Sequence, residues 1–435
     1  MSLDAETRRL PGSDLDDLIA VARPALFVAA LALVWVTLDP FANLGDTEML
    51  ELASGREGLT YFAFGLIAVA SVGLVFATQA RILLALVTPF TLALGAWLLV
   101  TVVTSQDFSS SLKRFVLFGF VAAITASLFL LPNGRRQLGL LLLIAMGGLL
   151  ALSYLGVALL PMNAIHQATD VMEDKLAGDW RGVFSHKNNA GAIFAMGVFM
   201  GIHGARIGYK AAGIAIAVLS ALFVVFAGAK SALMLLVVTL IISGLVTVVR
   251  SNVLRALLVA APLVTLLVLG PGTVLNDTLA SIVRALPVDA TFTGRSDIWV
   301  MAFDHIAQRP LTGYGYGAFW TLESTKFGSE DLENWAGSAA HAHNGYIEAA
   351  LNLGIPGLIL VVLVMVVQPF RDFTRAGSQG ADPALTMMLL QIWLFGIYLS
   401  VMESFLFTRV DSIWITFLFA VFGLRYVARF PGVRA

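Results

Sequence analysis

The chain has 435 residues, of which 58% are hydrophobic and only 13% are charged, and its mean hydropathy is +0.86. A soluble domain usually carries about 25% charged residues, so this composition excludes an ordinary soluble enzyme and a disordered chain. The net charge of −1 gives no basic field for a nucleic acid, and the absence of cysteine excludes disulfides and zinc–cysteine sites. The composition predicts an all-α polytopic membrane protein.

Apolar runs long enough to cross a bilayer, which takes about 20 residues, predict about twelve transmembrane helices. Residues 1–21 precede them and are expected to form a cytoplasmic tail. They are polar, and no small-residue cleavage site follows a short apolar core, so we do not expect a cleavable signal peptide. The approximate limits of the spans are 22–38, 60–78, 82–103, 114–131, 138–160, 189–204, 211–227, 231–249, 255–270, 345–369, 384–402 and 412–430.

This pattern divides the chain into four parts after the first tail. Residues 22–270 hold spans one to nine, residues 271–344 form a long loop, residues 345–430 hold spans ten to twelve, and residues 431–435 form a second tail.

Lysine and arginine recur in the tails and short loops of one side, as at Arg81, Arg135 and Arg250. The positive-inside rule makes that side cytoplasmic, together with both termini. The long loops, about 39–58, 161–188 and 271–344, then lie on the outer side, which in a bacterium is the periplasmic face of the inner membrane. Large loops on one face predict that the active site lies there.

The longest loop contains a stretch with helical periodicity, Ser296–Gln308. Ile298, Trp299 and Ala302 share one face of it, together with Phe303 and Ile306. We expect an interfacial helix that lies on the bilayer. The stretch Asn163–Leu176 shows the same character more weakly.

A first polar cluster lies before the sixth span and contains Arg181, His186, Lys187, Asn188 and Asn189. One interpretation is structural, because asparagine caps helices and a lysine at a membrane interface extends its charge toward water. The functional interpretation is a donor-rich, cationic site for phosphate at a helix N-terminus.

Two further groups lie on the same predicted face. Lys230 occupies the short turn between the seventh and eighth spans, where it is either a solvated turn charge or an ion with a partner. His341, His343 and Asn344 precede the tenth span, and a histidine can accept a proton from a sugar hydroxyl. His-x-His could also bind a metal, but no clear third ligand accompanies it, so we predict neither metal nor cofactor.

Motifs spread over most of the chain resemble those of the O-antigen ligase family, which includes Wzy-type and exopolysaccharide polymerases. The block Trp180-Arg-Gly-x-Phe-x-His-Lys-Asn-x-x-Gly191 resembles the exopolysaccharide polymerase branch in particular. The motifs are Gly294-Arg295-x-x-x-Trp299, Pro310-x-x-Gly-x-Gly-x-Gly317-x-Phe319, His341-x-His-Asn-x-Tyr346 and Gly354-x-x-Gly357.

The resemblance implies a GT-C-like glycosyltransferase that moves a glycan from undecaprenyl pyrophosphate to a sugar hydroxyl on the periplasmic face, without nucleotide or metal. It places the family's catalytic histidine at His343 and its pyrophosphate-binding arginine at Arg181. A second family arginine corresponds to Lys230. Lysine keeps the positive charge but cannot donate two parallel hydrogen bonds to a phosphate as a guanidinium does.

The chemistry that such a donor requires is consistent with these residues. Arg181, Lys187, Lys230 and Arg295 would offset charge on the phosphates. His343 would act as general base, oriented by His341 or Asn344.

A polymerase that joins lipid-linked repeat units is the predicted function, and a ligase acting on lipid A-core is the alternative. A transporter is a third interpretation, disfavoured because the middles of the spans are nearly free of charge. The predicted partners are the lipid-linked donor, a glycan or lipid-linked acceptor and the bilayer. A chain-length regulator is compatible with the sequence but not demanded by it.

Overall fold

The computed structural model describes residues 13–36, 38–45, 57–170, 174–285, 294–321, 340–408 and 410–431. Every regular element in these ranges is helical, apart from one isolated bridge between Ile165 and Trp180. The predicted all-α class is confirmed.

The longer helices follow the predicted spans closely. The first nine are α1 (Ser13–Val36), α2 (Glu57–Leu86), α3 (Pro89–Val103), α4 (Phe108–Leu128), α5 (Arg135–Leu159), α6 (Lys187–Arg206), α7 (Lys210–Phe226), α8 (Lys230–Val248) and α9 (Asn252–Leu269). The others are α10 (Asp277–Arg284), α11 (Arg295–Gln308), α12 (Gly345–Val362), α13 (Gln368–Ser378), α14 (Pro383–Leu399) and α15 (Ser412–Arg429). The π-helical turn Leu363–Val367 makes α12 and α13 continuous.

Eight of these helices are long and apolar enough to cross a membrane, and α3, α7 and α14 are shorter apolar helices. The described residues therefore form a polytopic membrane protein with eight to eleven such helices. The sixth predicted span, 189–204, coincides with α6, which begins with Lys187 and two asparagines and has His203 and Arg206 in its last turn. The count of twelve stays a prediction.

Side-chain caps fix where several helices begin. Asp107 accepts a hydrogen bond from the Ser110 backbone N–H at the start of α4. Asp382 and Asp411 cap α14 and α15 in the same way. Pro89 and Pro383 follow their caps directly, where a missing N–H costs nothing.

Contacts between the ends of the helices identify two opposite ends of the bundle. At one end of the bundle, Arg23 and Gln79 donate to the backbone of Leu130. At the other, the Gln106 N–H donates to Tyr314 O, and the Gly345 N–H donates to Ser400 O. We call the second end the loop face and the first the short-turn face. Assignment of the short-turn face to the cytoplasm stays a prediction.

The centre of the bundle lies around α6 and α14, whose side chains are buried nearly throughout. Helices α6 and α7 pack with their backbones in close approach. A Cβ atom on Gly201 would lie 2.6 Å from Gly213 O. Small residues permit such packing between membrane helices. Large apolar side chains on α2, α3 and α9 are exposed, as expected of surfaces that face lipid.

The predicted interfacial helix in the long loop is present as α11, but its predicted environment is wrong. Ile298, Trp299 and Ala302 are completely buried in the protein, and the Trp299 indole donates to Ala342 O over 3.0 Å. Periodicity identifies an apolar face but not what covers it. The weaker stretch Asn163–Leu176 is not a continuous helix, because only the short turns Pro161–Ala164 and Asp174–Leu176 form there.

Candidate active site

The turn that carries the two histidines is anchored by Asn344, the cap of α12. Its Oδ1 atom accepts from the backbone N–H groups of Tyr346 and Ile347, each at 3.0 Å. Its Nδ2 atom donates to Val401 O over 3.1 Å. Asn344 is completely buried, and every polar atom of its side chain is used on the backbone. We therefore assign it a positioning role.

The backbone of His343 adopts φ +48°, in the left-handed region that few residues other than glycine occupy. Such strain persists only where the surrounding structure imposes it, and it is common at active sites. The His343 N–H donates to His341 Nδ1 over 3.3 Å, and the two imidazole rings lie 4.0 Å apart. Burial, with the nearby His343 charge, lowers the pKa of His341 to about 4, so this ring is neutral at pH 7.

Glu403, which the sequence motifs do not include, joins several predicted site residues. One carboxylate oxygen lies 3.7 Å from His343 Nδ1. The other accepts from Asn188 Nδ2 at 3.0 Å and lies 3.3 Å from Arg295 Nη2. Burial alone would raise the pKa of Glu403, but the nearby His343 imidazole and the Arg295 charge outweigh it, and its pKa lies below its usual value. A carboxylate at this position can stabilise a protonated imidazole.

The glycine-rich stretch 310–319 supports this turn from the side of α12. Gly354, at φ +69°, breaks the regular backbone of α12. The Tyr314 and Gly315 N–H groups donate to Leu351 O and Asn352 O at 2.8 and 3.1 Å. A Cβ atom on Gly313 would lie 2.5 Å from Leu351 O. These glycines therefore allow close packing of the two backbone segments.

Glu348 holds the histidine turn from the other side. It accepts from the Ala342 N–H at 2.9 Å, from the Trp320 indole at 2.9 Å and from Asn352 Nδ2 at 2.8 Å. Glu348, Trp320 and His341 also line a cleft of about 360 Å³. The cleft places open space directly beside His341.

Lys187 lies on the loop face at the start of α6. Its Nζ atom is 2.5 Å from Asp179 Oδ2 and 3.4 Å from Gly228 O. Lys230 is exposed at the first position of α8, two residues after Gly228. The structure therefore places both lysines near the same turn.

The remaining polar residues of the first cluster hold this region together. His186 caps α6 by accepting from the Asn188 N–H at 3.0 Å, and Asn189 Nδ2 lies 3.3 Å from Asp411 Oδ2. A buried pair that the sequence analysis missed, His166 and Asp170, lies 2.9 Å apart. His166 also accepts from the Lys187 N–H over 3.2 Å. Nothing in the sequence motifs signals that pair.

Arg181 lies inside the protein rather than in a cleft. Its side chain is completely buried, Nη1 donates to Phe184 O at 3.1 Å, and Nη2 donates to Ala42 O at 2.7 Å. These bonds tie residues 38–45 to the loop before α6. Burial lowers the pKa of Arg181. A role in pyrophosphate binding stays a prediction.

Within the described residues, no group of three or more histidine, aspartate or glutamate side chains could hold a metal ion. The site consists of imidazole, carboxylate, amide and cationic groups. These can accept a proton and offset negative charge.

Residues 215–362 match the family model for O-antigen ligase. This chain carries an O-antigen ligase family segment. The chain is also 36% identical over 104 residues to the exopolysaccharide production protein ExoQ of Rhizobium meliloti (strain 1021). That similarity covers 23% of this chain and 24% of ExoQ, so it spans about a quarter of the curated relative. The resemblance to the O-antigen ligase family that the motifs indicated is confirmed.

The O-antigen ligase segment contains part of the site. Lys230, Arg295 and the histidine turn lie within residues 215–362. Two other parts of the site lie outside this segment. They are Glu403 and the first polar cluster, which precedes α6. The structure brings Asn188, Arg295 and His343 together through Glu403. It also places Lys187 and Lys230 beside one turn.

Proposed function

We propose that the chain is a membrane glycosyltransferase that polymerises undecaprenyl-pyrophosphate-linked oligosaccharide repeat units into exopolysaccharide. The reaction takes place on the loop face, which is the periplasmic face. The observation that carries this proposal is the placement of His343 beside Glu403, together with Arg295. Membership of the O-antigen ligase family and the similarity to ExoQ support the same chemistry.

His343 acts as general base in this proposal. Its Nδ1 atom faces Glu403, so Nε2 takes the proton from the acceptor hydroxyl. The carboxylate stabilises the imidazolium that forms, and such proton transfer contributes about 10²–10⁴ in rate. His341 stays neutral because of its lowered pKa and adds no competing charge.

The acceptor oxygen attacks the anomeric carbon of the donor as its proton leaves. The bond from that carbon to the pyrophosphate oxygen breaks, and undecaprenyl pyrophosphate departs with the electron pair. A single in-line displacement inverts the anomeric centre. Lys187, Lys230 and Arg295 offset the charge that grows on the phosphates, each worth about 10²–10³ in rate. No metal takes part.

The description of the matching family model favours a second function, ligation of the finished glycan to lipid A-core. Both functions use the same donor and the same base. They differ in the acceptor and therefore in the product.

Purified protein in nanodiscs, given lipid-linked repeat units and EDTA, tests the proposal. A ladder of lengthening lipid-linked glycans, resolved by gel and mass spectrometry, is the expected result. A single transfer that requires added lipid A-core would establish the ligase instead. If neither acceptor receives a glycan, the result would contradict glycosyltransfer and favour the transporter interpretation.

A further inference from the structure

A cavity of about 590 Å³ lies at the short-turn face, on the opposite side of the bundle from the histidine turn. The ends of α6, α8 and α13 and the starts of α9 and α14 surround it. Its lining contains Arg206 and Arg255 and, among the described residues, no carboxylate. The other lining residues are Thr247, Phe373, Gly377, Gly380, Ala381, Pro383, Ala384, Thr386 and Met387.

The two arginines are held in different ways. Arg255 Nε donates to Val246 O and Val249 O at 3.0 and 2.7 Å, and the guanidinium lies 5.9 Å from the Phe373 ring centre. These contacts hold the Arg255 guanidinium in place before any ligand binds. Arg206 is exposed at the last position of α6. Thr386, which is 7% exposed, has a hydroxyl without a hydrogen-bond partner in the described part of the chain.

Arg206 also lines a second cavity, of about 370 Å³, along the contact between α6 and α7. Its walls include Ile202, Ile214 and Val218, and Lys210 is the second cation in its lining beside Arg206. The surroundings face lipid, because Val248 and Val253 at the adjoining ends of α8 and α9 are 81% and 72% exposed. A cationic cavity that continues into an apolar groove matches a charged head group with an attached acyl chain.

We propose that these two cavities form a binding site for one anionic phospholipid. The phosphate of the head group lies between Arg206 and Arg255, and an acyl chain follows the groove between α6 and α7. Basic pockets between membrane helices bind anionic head groups in this way. The apolar groove favours a lipid over a free phosphate ion. This site is separate from the proposed active site and does not depend on its function.

The test uses the full chain, purified, stripped of lipid by detergent exchange and examined by native mass spectrometry. The probes are dioleoyl phosphatidylglycerol and dioleoyl phosphatidylcholine, which share their acyl chains and differ in head-group charge. Wild type is expected to retain phosphatidylglycerol preferentially. Arg206→Gln is expected to weaken that retention about tenfold, since it removes a charge-assisted hydrogen bond.

Arg250→Gln is the matched control, because it removes an exposed arginine from the same face outside the cavity lining. It should retain the lipid as wild type does. Equal retention of the two lipids by wild type, or unchanged retention in Arg206→Gln, would overturn the proposal. Displacement of phosphatidylglycerol by millimolar inorganic phosphate would also overturn it, in favour of a free-anion site.

Discussion

The carboxylate of Glu403 lies 3.7 Å from Nδ1 of His343, and it also contacts Asn188 and Arg295. One partly buried carboxylate therefore links the starts of α6 and α11 to the histidine turn. In the proposed mechanism, Glu403 is therefore the partner of the positive charge that forms on His343 during proton transfer.

Glu403→Gln should lower kcat by about 10²-fold or more, because a neutral amide cannot stabilise the imidazolium. The amide oxygen can still accept from Asn188, so the thermal unfolding midpoint should change little. Steady-state transfer rates measured on purified protein check this. Asp277→Asn, an exposed carboxylate at the start of α10, is the control and should keep full activity. Equal activity of the two variants would remove Glu403 from the mechanism.

The twelve predicted spans each coincide with a helix, because an apolar run of sufficient length leaves the backbone few alternatives to a helix. Periodicity also located α11. It did not reveal that Trp299 is buried against Ala342, since protein and bilayer both cover an apolar face. Glu403 was missed because its partners come from distant parts of the chain, and only the packed bundle brings them together.

Arg181→Ala should abolish turnover and also destabilise the protein, because the carbonyls of Ala42 and Phe184 lose their donor. The expected loss is about 1–3 kcal/mol in the free energy of unfolding. Arg181→Lys should restore activity only in part, since lysine cannot reach both carbonyls with the geometry of a guanidinium.

Transfer assays and denaturation of the two variants, beside the exposed-arginine control Arg284→Ala, separate the two roles of Arg181. Loss of activity with unchanged stability would assign Arg181 to the substrate alone. Full activity in the alanine variant would refute the role in turnover, and unchanged stability would refute the structural role.

Lys230→Ala should lower kcat by about 10²–10³-fold if Lys230 offsets phosphate charge. Lys230→Arg should keep activity, because it keeps the charge. Arg250→Ala removes an exposed cation on the short-turn face, outside both cavity linings, and should be silent. Initial rates with the lipid-linked donor measure all three. Equal rates for wild type and both Lys230 variants would make it an ordinary turn charge.

The lowered pKa of His341 predicts how stability depends on pH. The folded state disfavours the charged ring, so this stabilising contribution is present above the unfolded value of 6.5 and is lost as pH falls through about 4. The unfolding midpoint of wild type should therefore fall across that window. His341→Gln should show a shallower decline between pH 6.5 and pH 4. Parallel curves for the two proteins would show that His341 is not the group responsible.

The most direct test of the proposed mechanism is the transfer rate of His343→Ala in nanodiscs with EDTA, compared with wild type under saturating lipid-linked donor. Loss of the general base predicts a fall of about 10²–10⁴-fold in kcat with an unchanged unfolding midpoint. Transfer by His343→Ala at the wild-type rate would contradict the assignment of His343 as the base.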